Sequence, residues 1–333
     1  MNQKHVQFIC AELNLGAPKG EATSVYGCRG GSFMWRVSTD KAVYAIKQLA
    51  PVIDLKNERI VTKYELSETI AYQFSQKGIP AVSAIEKAGK HLFMIDNIGY
   101  LVYLWVEGST LGRNEISEIH ALKVAEVIAK MHRINLSVPG IADPRVDIHT
   151  NKTIIKAIER VISHQCSCAD VLKENQQLIL SSNNSYQHII PLLLEDTVVT
   201  HGDLDQLNIL WDKNDHPMLV DWESVRKLNP SREIIRASLD WSGIGTDNLS
   251  LPLYTRMLDT YKKSGGIINP NHINAAILSS FGSMINWILY NIEVACTSVI
   301  QEEQNTATKE INDTLNNMIC LKNLIPHLFN NSL

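Results

Sequence analysis

"HGDLDQLNIL", His201–Leu210, and the shorter "MLVDWES", Met218–Ser224, decide how this chain reads. Asp203 and Asn208 stand five residues apart in an otherwise apolar segment that directly follows the β-branched run "TVVT" (197–200), and Asp221 comes thirteen residues after Asn208. Unpaired charge beside hydrophobic strands is costly, so these side chains call for a compensating partner. The plain structural alternative is a pair of Asx turns between short strands.

Residue type and order point to metal-assisted phosphoryl transfer. Mg²⁺ takes hard oxygen donors, a carboxylate and an amide oxygen, and draws its remaining ligands from phosphates and water. Asn208 and Asp221 are the candidate metal ligands. A separate carboxylate must orient the acceptor hydroxyl and receive its proton, and Asp203 is the candidate base. Placing all three at the ends of short strands sets them on rigid backbone, which chemistry dominated by positioning requires.

The first hundred residues supply matching parts. "SFMWRVS" and "AVYAIKQL" read as strands separated by the turn "TDKA". Lys47 closes "VYAIK" and is placed to reach α- and β-phosphates. "NERIVTKYELSETIAYQFSQKG" carries a helical apolar stripe ended by Gly78 and Pro80. It offers Glu68, with Glu65 as the alternative, to pair with Lys47. "YGCRGGS" (26–32), expected between an upstream helix and the first strand, suits an arch over phosphates through backbone N–H groups, with Ser32 adding a hydroxyl. No G-x-x-x-x-G-K-S/T occurs, which excludes a P-loop enzyme. "HLFMI" and "YLVYLWV" read as two more strands. From about Glu107 helical patterns dominate, beginning with "ISEIHALKVAEVIAKMHRI", and 197–225 forms a β-rich island within them.

At 333 residues the chain exceeds one comfortable core. The expectation is an N-terminal nucleotide-binding lobe over 1–105, a hinge near 103–108, and a C-terminal catalytic and substrate-binding lobe over 106–333. A net charge of −4 argues against a nucleic-acid partner. Six scattered cysteines argue against a disulfide framework, and the N-terminus shows no apolar signal segment. The apolar stretch 275–300 is broken by Asn286, Asn291 and Glu293, so it reads as a buried helix, with no membrane partner expected. A cytoplasmic setting is the simplest expectation.

Together "HGDLDQLNILWD" and "LVDWES" resemble the catalytic and metal-binding loops of the aminoglycoside phosphotransferase / choline kinase superfamily. Strand lysine, helix glutamate, the linker "LVYLWVEGSTL" and the two loops follow in the right order, so the resemblance covers almost the whole chain. It implies an α+β, bilobal, protein-kinase-like fold: a small β-rich N-lobe with an antiparallel sheet and a helix, and a larger, mainly helical C-lobe. It further implies ATP and Mg²⁺ as cofactors, Lys47 on the phosphates, backbone near Leu104 to Val106 against adenine, and His201 shaping the loop. The partner is then a small-molecule hydroxyl substrate such as an aminoglycoside-like antibiotic, an amino alcohol or a sugar-like metabolite. "NPSREI" matches the family's proline followed by an acid, here Glu233, read as structural. Ser32 stands where many relatives carry asparagine, and Asp205 replaces the more usual histidine. The alternatives are a protein kinase, although "HRD", "DFG" and "APE" are missing, and a silent nucleotide-binding scaffold.

Other chemistry-bearing residues have plainer readings. "HQCSCAD" lacks the spacing and fourth ligand of a zinc site, and Cys28 is a small filler. His132 reads as a buried, satisfied histidine. Trp222 and Trp241 read as core, with Trp287 a weak candidate for a substrate wall. Glu107, Glu223 and Asp240 are as readily structural as functional.

Overall fold

The computed structural model describes residues 1–27, 31–144, 146, 148–244, 246 and 249–332. In chain order the elements are α1 (Gln3–Glu12), β1 (Thr23–Gly27), β2 (Phe33–Ser38), β3 (Val43–Gln48), α2 (Glu58–Gln76), β4 (Leu92–Ile95) and β5 (Ile98–Leu104). Then follow α3 (Glu118–Ile134), α4 (Asn151–Ser163), α5 (Ala169–Glu174), α6 (Gln176–Leu193), β6 (Val198–Thr200), β7 (Ile209–Trp211), β8 (Pro217–Leu219) and β9 (Arg226–Leu228). The chain ends in α7 (Pro230–Trp241), α8 (Leu251–Lys263), α9 (Ile273–Thr297) and α10 (Gln301–Ser332). An antiparallel N-terminal sheet followed by a mainly helical remainder is the α+β, kinase-like class expected from the two loops.

The chain divides into two compact units. The first comprises 1–112, 137–141 and 206–225; the second holds the rest. The segment with Asn208 and Asp221 therefore packs with the N-terminal sheet.

In the first unit five antiparallel strands lie in the order β1-β2-β3-β5-β4. Side chains alternate across a strand, and the burial follows that period. Tyr44, Ile46, Tyr100 and Val102 pack with Val6, Ile9 and Cys10 of α1. On the opposite face Leu49 and Leu101 pack with Tyr64 of α2. Lys47, two residues before Leu49 and paired with Leu101, shares that second face. α2 starts where the Asn57 side chain accepts a hydrogen bond from the Arg59 amide. It stops before Gly78, whose φ of +81° suits glycine. The β7–β8 hairpin joins this unit through Ser109 and Trp211, which exchange backbone hydrogen bonds of 3.1 and 2.9 Å. A Cβ on the adjoining Gly108 would lie 2.9 Å from the Trp211 carbonyl oxygen, so only glycine fits that approach.

β1 departs from expectation. "YGCRGGS" begins at the end of a strand, β1, and leads to β2, rather than lying between a helix and the first strand. β1 is a short edge strand with a register shift between Ser24 and Tyr26, and its residues 23–25 are exposed, so it carries none of the apolar alternation that marks a strand. Cys28, Arg29 and Gly30 fall outside the described residues.

In the second unit α9 is the hub, packed against α10, α6, α7 and α4. It is long and apolar enough to cross a membrane, yet Ile277, Phe281, Ile285 and Ile288 are buried by those neighbours, which makes it a core helix. α7 begins with a side-chain cap, the Asn229 oxygen accepting from the Arg232 amide, followed by Pro230 at the first helical position.

Candidate active site

Lys47 is the centre of the first unit's polar cluster. Its side chain is buried, and its Nζ lies 3.0 Å from Asp221 Oδ1 and 2.6 Å from Glu223 Oε1. Burial by itself would lower the ammonium pKa, but the attraction of Asp221, then of Glu223, outweighs it and the net direction is upward. The lysine is therefore charged and aimed at the "DWE" carboxylates.

Glu68 does not pair with Lys47 as expected, and neither does Glu65. The Glu68 carboxylate, 1% exposed, accepts hydrogen bonds from the Ala84 amide (2.6 Å) and the Tyr103 hydroxyl (2.8 Å). Glu65 accepts from the His91 and Leu92 amides. Both acids are thus taken by groups of the chain that follows α2, backbone amides for each and the Tyr103 hydroxyl besides for Glu68. Burial pushes the Glu68 carboxyl up to about 7 although those two hydrogen bonds, and then Lys47, pull the other way. Burial first, and Glu223 next, raise Tyr64 to about 12. Glu223 is the residue sequence reasoning undervalued; its position two after Asp221, on the same turn, was the available signal.

Asn208 and Asp221 are brought side by side through backbone. Asn208 ends a short 3₁₀ turn, and its carbonyl oxygen accepts a 3.0 Å hydrogen bond from the amide of Val220, the residue before Asp221. Asp221 itself sits in the left-handed region at φ +61°, a conformation that costs an L residue free energy and marks a position held by its surroundings. The hold comes next: Trp222 is buried, stacks on Phe74 of α2 at 5.6 Å and 29°, and donates its indole N–H to the Leu219 carbonyl. Asp221 keeps one oxygen on Lys47 and 46% of its side chain exposed. A carboxylate with an open oxygen beside an amide-bearing residue fits the donor chemistry of Mg²⁺ with phosphate and water completing the shell.

Ser32 is buried, and its Oγ accepts from the Ala50 amide at 3.1 Å. Leu104 is exposed at the end of β5, and the next residue, Trp105, donates its amide to Val43 and its indole N–H to Glu107. Val106 is half-buried just beyond.

Asp203 belongs to the second unit, where its loop is tied on both sides. The Arg226 guanidinium donates to the Gly202 carbonyl at 2.9 Å, and the Trp241 indole N–H donates to the Leu204 carbonyl at 2.9 Å. Gly202, at φ +80°, turns the chain between His201 and Asp203. Behind the loop Glu233 accepts from Thr200 (2.9 Å) and contacts His132 Nε2 (2.8 Å), whose other ring nitrogen meets the Tyr261 hydroxyl (2.8 Å). His132 is thus a buried histidine bonded at both nitrogens, and Glu233 a structural anchor of β6. Asp203 shares a recess with Arg226, Arg232, Arg236 and Asp240. Burial raises the Asp240 carboxyl despite the opposing pull of Arg236, 3.6 Å away. Elsewhere in this unit Trp287 stacks on Tyr290, and Cys166 and Cys296 are unbridged thiols 3.9 Å apart.

Known structures resemble this fold. A spectinomycin phosphotransferase solved with ADP and spectinomycin matches at TM-score 0.71 and 12% identity, covering 97% of this chain and 98% of that one. The ethanolamine kinase of Plasmodium vivax matches at TM-score 0.58 and 18% identity, over 94% and 89% of the two chains. A choline kinase from Streptococcus pneumoniae matches at TM-score 0.56 and 15% identity, over 94% and 98%. These likenesses concern the fold. A search of curated protein sequences finds no significant match. The sequence model of the phosphotransferase enzyme family covers residues 35–261, from β2 into the last turn of α8, and over that span the chain belongs to the phosphotransferase enzyme family.

Proposed function

We propose that this enzyme transfers the γ-phosphoryl group of ATP to a hydroxyl of a small molecule. The observation that carries the reading is the buried Lys47 ammonium held between Asp221 and Glu223, because it sets the strand lysine and the candidate metal carboxylate in one charged cluster. Lys47 binds phosphate oxygens and exchanges part of its carboxylate pairing for them. Asp221 and Asn208 would hold Mg²⁺, which when bound neutralises charge on the triphosphate. Ser32 faces the phosphates from the glycine-rich turn, and the backbone from Leu104 to Val106 meets the adenine edge. Glu68 acts through Tyr103 and Ala84, fixing the strand and loop around Lys47. Asp203 accepts the hydrogen bond of the acceptor hydroxyl, orients its oxygen, and takes its proton as the phosphoryl group moves.

The test is ATP consumption across a library of hydroxyl compounds with Mg²⁺ present. Acceptor-dependent ADP release is the expected result. Background release with every compound, together with no stabilisation of the protein by MgATP, refutes the proposal. Phosphorylated proteins in place of phosphorylated small molecules would shift the assignment to a protein kinase.

A further inference from the structure

We propose that Cys166 and Cys296 are a reversible redox pair, converted by a small-molecule disulfide of the glutathione class into a bond that staples the turn between α4 and α5 to the last turn of α9. Nothing in this depends on the kinase reading. The two sulfurs lie 3.9 Å apart and unbonded, although 130 residues separate them in the chain. Closing that gap to the ~2.05 Å of a disulfide takes about 2 Å of movement. Both ends can supply it. Cys166 sits in an irregular turn, directly after Gln165 at φ +53° and outside the helices on either side. Cys296 is the penultimate residue of α9, where helices fray, and Ser298 already leaves in an extended conformation. The two segments are also held in register without the bond. Arg160 of α4 lies 2.5 Å from Glu293 of α9, and the Cys166 thiol donates to the Ala295 carbonyl at 3.8 Å.

A reagent can reach the pair. Both cysteines are half-buried, and Gln165, Ser167, Thr297 and Val299 beside them are exposed. Cys168, the third thiol nearby, is fully buried and hydrogen-bonded with Thr308, so it is withheld from the same reagent. Among the described residues no group of three ligating side chains is placed to hold a metal ion, which leaves thiol–disulfide exchange as the chemistry of the pair. Burial, and then the neighbouring Cys166, push the Cys296 thiol up to about 11, so Cys166 supplies the first thiolate. It gives its proton to water and attacks one sulfur of the reagent, whose S–S bond breaks; one reagent thiolate leaves and is protonated. Cys296 then loses its proton and attacks the Cys166 sulfur of the mixed disulfide, releasing the second reagent thiol. Two cysteine thiols are oxidised while one reagent disulfide is reduced to two thiols, and excess reagent thiol reverses both steps. The new bond closes the loop from 166 to 296, which constrains the unfolded chain and makes the oxidised form the more thermostable one.

The test uses the full chain as wild type, Cys166→Ser, Cys296→Ser and Cys168→Ser. Each folded protein is equilibrated with oxidised glutathione, its remaining thiols are alkylated in denaturant, and the digest is mapped by mass spectrometry. The wild type is expected to yield a peptide cross-linked between 166 and 296, with the loss of two hydrogen atoms and two titratable thiols, all restored by reduced glutathione. Its Tm should stand about 5 °C or more above that of the reduced protein. Cys168→Ser is expected to behave as the wild type does. Cys296→Ser should stop at a glutathione adduct on Cys166, and Cys166→Ser should gain neither the bond nor the Tm shift. Should a serine variant unfold, the alanine variant takes its place, and the map of the wild type decides the pairing in any case. The proposal is overturned if the folded wild type keeps both thiols or stops at a mixed disulfide. It is equally overturned if the bond joins another pair or two copies of the chain, if it forms only in urea, or if oxidation leaves Tm unchanged or lowers it.

Discussion

Glu68→Gln isolates the consequence of keeping a carboxyl group in a nearly dry site. Glu68 is 1% exposed, and its pKa stands at about 7 against an ordinary 4.5. Between those two values the folded chain retains a proton that the unfolded chain releases, so stability falls as pH rises across that window. At about 1.4 kcal/mol per pH unit the full effect is about 3 kcal/mol, most of it lost between pH 5 and pH 8. Glutamine keeps the shape and an oxygen for the Ala84 amide while removing the titration. Urea unfolding at pH 5 and pH 8, followed by tryptophan fluorescence, should therefore show the wild type losing about 2–3 kcal/mol relative to Glu68→Gln. Parallel pH profiles for the two proteins would refute the argument, because they would mean that Glu68 is as acidic in the fold as in the open chain.

Asp203→Ala should lower kcat by about 10²- to 10⁴-fold, the contribution of a positioned base, while titration calorimetry shows MgATP binding little changed. Asp221→Ala should weaken binding of ATP in the presence of Mg²⁺ and leave binding in EDTA nearly as it was, a contrast read from paired titrations. Lys47→Met should raise KM for ATP and lower Tm, since Asp221 and Glu223 are left facing each other without the ammonium that holds them. Trp222→Ala removes a buried indole stacked on Phe74 and should cost about 3–5 kcal/mol in urea unfolding.

The fold class was legible through the family resemblance that the loops 201–210 and 218–224 carry, two acids and an amide at fixed spacing against apolar strands. β2, β3, α2 and α3 were legible from plain periodicity. β1 was not, because an exposed edge strand with a bulge needs no apolar alternation. The partner of Lys47 was not either: spacing along the chain names candidate carboxylates but not which one the backbone has already claimed. Glu68 satisfies the Ala84 amide, a contact sixteen residues away that no helical pattern encodes.

The bond from the Val220 amide to the Asn208 carbonyl has a practical consequence. The scaffold that sets positions 208 and 221 beside each other is main chain, so replacing either side chain leaves its spatial frame standing. Inert versions of the protein made at those positions should keep their shape, and they can serve as baits for trapping the acceptor without turning it over.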